Sequence, residues 1–100
     1  MADANQKVLF IKTILNDLET MDLTLTDKNA KIRLHELMDT VKYSDPMSPD
    51  ALKEMEAQIL ANMEEIKEAV LLGDFALAAS LMKEQNHLFI ERNSKCKLLK

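Results

Sequence analysis

The sequence predicts an all-α fold: an antiparallel helical hairpin, with helices at about 49–72 and 74–97, packed with two shorter N-terminal helices in a four-helix-bundle-like arrangement. Three observations predict it. Apolar residues recur at three- and four-residue steps along most of the chain, as the buried face of a helix requires. The single glycine, Gly73, stands beside Asp74 between the two longest periodic stretches, where a chain reversal needs it. One Gly, two Pro and four aromatics in 100 residues are too few for a sheet-rich fold with many turns. The chain reads as a single helical domain, 1–100, with an N-terminal helix pair (1–45), a connection (46–49) and a long hairpin (50–100).

Helix one is expected from Asp3 to about Met21, because Val8, Ile11, Leu15 and Leu18, flanked by Phe10 and Ile14, form one helical face. From Met21 to Thr26 the period is lost, which predicts a short connection with Thr24 or Thr26 as the next N-cap and Leu23 and Leu25 plugging the bundle end. Helix two then runs from about Asp27 to Tyr43, with Ala30, Leu34, Leu37, Met38 and Val41 inside and Lys31, Arg33, Glu36 and Asp39 outside. Ser44–Pro49 is the clear break: Pro46 pushes Asp45 out of the α region, Ser48 caps, and Pro49 occupies the first turn of helix three.

Helix three carries Leu52, Met55, Ile59, Met63 or Asn62, Ile66 and Val70 at alternating three- and four-residue steps. Gly73 can take the left-handed conformation that ends it, and Asp74 can cap the helix that follows. Helix four has two neighbouring stripes. One is Phe75, Met82, Phe89 and Cys96; the other is Ala78 or Leu81, Gln85, Leu88, Arg92 and Leu99. Together they exceed what one partner helix covers. Residues equidistant from the turn should meet, so Ile66 faces Leu81, Ile59 faces Leu88 and Met55 faces Arg92, while the Phe75 stripe faces helices one and two or a second chain. Gln85 and Arg92 interrupt this apolar seam, where polar groups are costly unless satisfied; register control is the preferred reason, and an Arg92 stem covering apolar surface with its head in solvent near the bundle end is the alternative.

A formal charge of −4 argues against general nucleic-acid binding, which needs a cationic face. Bases do concentrate at the end of helix four, at Arg92, Lys95, Lys97 and Lys100, opposite Asp50, Glu54 and Glu56 at the start of helix three. Each cluster complements its own helix dipole, and antiparallel pairing brings the two together. The opening residues lack the basic and apolar regions of a leader, and no apolar run approaches a membrane span, so an unprocessed, soluble, cytoplasmic chain is expected. Cys96 is the only cysteine, consistent with a reducing compartment, and reads as a small buried hydrophobe.

His35 and His87 are the only histidines, and neither has a second His or Cys at helical spacing to complete a metal face. Glu64, Glu65 and Glu68 cluster beside Lys67 with nothing to tune their acidities apart, and read as a solvated face. The methionines, Met21, Met38, Met47, Met55, Met63 and Met82, read as adaptable core filler. No enzymatic activity, metal or cofactor is expected, since no phosphate loop, nucleophile triad or acidic metal loop is present.

Ala69, Phe75, Ala78, Ala79, Leu81 and Leu88 resemble the apolar frame of the UVR-type hairpin of bacterial excision-repair and some protease-regulator proteins, over about a third of the chain. Ala76, Met82 and Lys83 stand where that family's pattern tends to carry acidic, Arg and acidic residues, so the resemblance implies shared hairpin packing and no more. Gly73-Asp74-Phe75 resembles a turn of lactose-type phosphocarrier subunits, but His87 does not fall where that family's phosphorylated histidine would follow.

The function expected is a small helical protein–protein interaction module. It would self-associate, as a dimer by preference, through Phe75, Met82, Phe89 and Cys96, and bind another protein through an amphipathic helix or groove. Arg92, Lys95 and Lys97 complete the expected interaction surface as a weak site for an anionic partner, and phosphotransfer on an exposed histidine is the alternative class.

Overall fold

The computed structural model describes residues 2–45 and 49–98, with side chains from residue 9 onward. Its four helices are α1 (Ala2–Thr24), α2 (Lys28–Lys42), α3 (Lys53–Leu71) and α4 (Phe75–Leu98), with a short 3-10 turn at Asp50–Leu52 ahead of α3. They pack against one another as an all-α bundle. At 1.5 Å per residue α4 is about 36 Å long, so the 39 Å long axis of the molecule is close to the length of that one helix.

Helix α1 continues one turn beyond the expected end. Leu18, Met21 and Leu25 keep the three- and four-residue step, and all three are buried, so burial overrides the weak helix propensity of the threonines. Leu25 plugs the bundle end as expected, whereas Leu23 points outward and is 85% exposed. The cap of α2 is Asp27 and not Thr24 or Thr26: its backbone is extended and its Oδ2 accepts from Ala30 N–H at 3.0 Å. Lys31 of α2 reaches back to the end of α1, donating from Nζ to the carbonyls of Asp22 and Leu25, both at 3.2 Å. That satisfies acceptors the helix itself leaves open.

The cap expected at Ser48 and the break at Pro46 lie outside the described residues, as do Met47, Leu99 and Lys100; Val8 lies outside the described side chains. Pro49 precedes the 3-10 turn, and α3 proper begins at Lys53, later than the sequence suggests. The reversal at Gly73 is as expected. Gly73 has φ 74°, its N–H donates to Val70 O at 3.1 Å, and Asp74 N–H donates to Ala69 O at 2.9 Å, the paired bonds of a Schellman C-cap. Asp74 Oδ1 then accepts from Leu77 N–H at 3.2 Å and starts α4.

Around the bundle, α1 packs on α2, α2 on α4, α4 on α3, and α3 more sparsely on α1. Bonds between side chains fix the directions. Asn93 near the end of α4 donates to Ser44 just after α2, so those helices run parallel; Lys67 late in α3 pairs with Asp17 late in α1, so those two also run parallel. Ile11, Ile14, Leu18, Leu34, Leu37, Ile59, Met63, Ile66, Met82 and Phe89 fill the centre.

The α3–α4 register has the expected offset and is pinned by polar groups. Asn62 Nδ2 donates to Gln85 Oε1 at 3.0 Å and to Leu81 O at 3.3 Å, and Gln85 Nε2 donates to Ile59 O at 2.8 Å. Nearer the open end, Arg92 Nε donates to Glu56 Oε2 at 2.9 Å. The Arg92 guanidinium carbon also lies 5.6 Å from the ring centre of Phe10 in α1. Gln85 and Arg92 have no exposed surface, and a slip of one turn would strand both.

Candidate interaction surface

The stripe expected to draw in a second copy is spent inside one chain. Met82 and Phe89 have no exposed surface, Cys96 is 2% exposed and Phe75 is half-buried. The cover comes from helices of the same chain: α2 packs along α4, and the Phe10 ring of α1 sits 6.1 Å from that of Phe89. The stripe expected to carry self-association is therefore covered within the chain itself, Phe75 in part. The sequence offered two takers for this face, and the chain's own N-terminal helices are the ones that fill it. Arg92 is likewise internal, so the basic site reduces to Lys95 and Lys97, both exposed. Lys95 Nζ lies 3.8 Å from Glu91 of its own helix, not against the start of α3.

The remaining ionisable groups divide by place. His35 Nε2 hydrogen-bonds Asp22 Oδ1 at 2.8 Å, linking α2 to α1. This bond, with the nearby charges of His35 and Lys31 and against a smaller opposing effect of burial, lowers the Asp22 carboxyl below its ordinary 3.8. Lys67 Nζ sits 2.8 Å from Asp17 and 3.6 Å from Glu64, and the Asp17 hydrogen bond raises its pKa above the ordinary 10.5. His87 is exposed on α4. Among the described residues no group of three or more His, Cys, Asp or Glu is placed to hold a metal, and no helix is long and apolar enough to cross a membrane.

Among the described residues, one face left uncovered is the outer side of the α3–α4 hairpin. Two adjoining clefts run along it and share Glu65. The one nearer the turn is lined by Glu65, Glu68, Ala69, Leu72, Asp74, Leu77 and Leu81. The other is lined by Gln58, Ala61, Asn62, Glu65, Glu84 and Leu88. Leu72 is 76% exposed and Leu77 48%, while Leu81 and Leu88 are half-buried, with their inner edges against the core. The result is a leucine floor bordered by Glu65, Glu68, Asp74 and Glu84, with no lysine or arginine in the lining.

Sequence reasoning placed Leu81 and Leu88 in the α3 seam and Glu65 and Glu68 on a solvated face, and missed that they share a groove. The available signal was Leu77, Leu81 and Leu88 at helical spacing beside the core stripe, a surplus apolar width on α4. Comparison with family models, with curated proteins and with solved structures found no match. The reading of this surface therefore rests on its geometry and chemistry.

Proposed function

We propose that this chain is a non-catalytic helical interaction module that presents the outer face of its α3–α4 hairpin to another protein. The observation that carries the reading is the row of exposed Leu72 and Leu77 and half-buried Leu81 and Leu88, set in a groove between two helices whose register is fixed by buried polar bonds. Contiguous apolar surface bordered by polar side chains marks protein contact sites, and a rigid pair of helices offers it without an ordering cost on this side. The buried Phe75 stripe serves the fold in this reading, not association.

The test is site-specific photo-crosslinking in cells. A photo-reactive residue at Leu77 is expected to yield a discrete protein adduct, and one at Leu9, 55% exposed on the outer side of α1, is not. Equal adduct yields at the two positions would refute the reading. An adduct at Leu77 with twice the 11.4 kDa mass would assign the face to a second copy instead.

A further inference from the structure

Resting on that reading of the α3–α4 face, we infer that its occupant is a basic amphipathic helix, with Leu, Ile or Met at helical spacing and Lys or Arg on its flanks. The shape argues for a helix. The floor follows two antiparallel helices from Leu72 to the level of Gln58, about 21 Å at 1.5 Å per residue, which matches about 14 residues of a third helix lying along it. Helices bind such grooves through apolar anchors at one face. An extended segment would find no strand edge here, because the wall on either side is helix with its backbone bonds already made.

The charge argues for a basic one. Glu65 and Glu68 on α3 and Asp74 and Glu84 at the turn and on α4 border the floor. The lysine nearest in α3, Lys67, is held toward α1 by Asp17 and Glu64. Lys95 lies farther along α4 against Glu91. An acidic helix would set like charges against this rim, and phosphate groups of nucleic acid or an anionic membrane would meet the same repulsion. A helix with Leu opposite Leu77 and Leu81 and Lys or Arg opposite Glu65 and Glu84 satisfies both the floor and its border.

The experiment titrates the intact, 15N-labelled protein with a helix-forming Leu/Lys peptide, and in parallel with a Leu/Glu peptide of the same apolar pattern. The Leu/Lys peptide is expected to shift the amide signals of Leu72, Leu77, Leu81 and Leu88, and to bind more weakly as salt rises. The double variant E65K/E84K, shown to be folded by its circular dichroism and urea midpoint, is expected to bind it about tenfold more weakly, as reversal of two rim charges implies. E36K on α2 is expected to leave binding unchanged.

Equal binding of the two peptides, shifts confined to α1 and α2, or undiminished affinity in E65K/E84K would each overturn the inference. So would groove signals that move with protein concentration alone, which would give the face to a second copy. Failure of the peptide alongside an intact Leu77 crosslink would overturn the basic-helix chemistry and leave the interaction face standing. Loss of that crosslink would remove both.

Discussion

Replacing Glu56 with alanine removes the carboxylate that accepts from Arg92 Nε at 2.9 Å and takes one anionic partner from a guanidinium with no exposed surface. Removing one member of a buried ion pair typically costs about 3–5 kcal/mol. Because the Glu56 side chain is 11% exposed and Arg92 keeps its other partners, among them Asn93 Oδ1 at 3.1 Å, these and water offset part of the loss. The expected cost is accordingly at the lower end, about 3 kcal/mol. With a urea slope of about 1.5 kcal/mol/M for a domain of this size, the midpoint should fall by about 2 M. Arg92→Met gives up the guanidinium over Phe10 but fills part of the same space, and leaves the Glu56 carboxylate, 11% exposed, to draw on water, so about 1–2 kcal/mol is expected. The double variant Glu56→Leu/Arg92→Met should recover to within about 1 kcal/mol of the parent, since apolar pairs replace buried ion pairs at little cost. Urea unfolding followed by far-ultraviolet circular dichroism measures all three. A cost below about 1 kcal/mol for Glu56→Ala would show the pair behaving as a surface one and refute the reasoning from burial.

Three further outcomes are expected. Gly73→Ala should cost about 1–2 kcal/mol in urea melts, all of it from the left-handed backbone, because an added Cβ would meet nothing within 4 Å; an unchanged midpoint would contradict that assignment. Phe89→Asp, which places a carboxylate where no surface is exposed, should abolish cooperative unfolding, and sedimentation of a folded, smaller species would instead restore an interface role for this residue. The folded Asp22 carboxyl lies below its ordinary 3.8, so its contribution to stability is in place above that pH and is lost as pH falls through the folded value. Asp22→Asn should therefore flatten the acid limb of a melting-temperature profile, and an identical limb in both proteins would refute the linkage.

The reversal at Gly73 was legible because one residue type alone fits the left-handed position and an aspartate follows it. The α3–α4 register was legible because the turn is tight and leaves only one offset; Gln85 and Arg92 sit at the polar positions that lock it. Less was legible where several residues can do the same job. Thr24, Thr26 and Asp27 are all competent caps, and only the backbone direction into α2 decides for Asp27. The surface was the least legible part. Periodicity says that Phe75, Met82 and Phe89 are covered but not by which helix, since α1 and α2 of this chain and a second copy offer the same apolar chemistry. The groove depends on the same missing knowledge: α4 borders both α2 and α3, and which of its leucines remain outside follows only once both neighbours are in place.

Attachment within the bundle is uneven. Helix α4 lies against both α2 and α3 along its length, whereas α1, among the described residues, leans on α2, meets α4 through Phe10 and touches α3 sparsely, tied there by Asp17 and Lys67. Uneven attachment makes for staged opening. Amide exchange should begin in α1 while the hairpin and α2 stay protected, so that Ile11, Ile14 and Phe10 lift away first and uncover the ring of Phe89. The molecule would then hold a rigid three-helix body with a latch across one side, and the leucine groove on the far side of that body would outlast the latch.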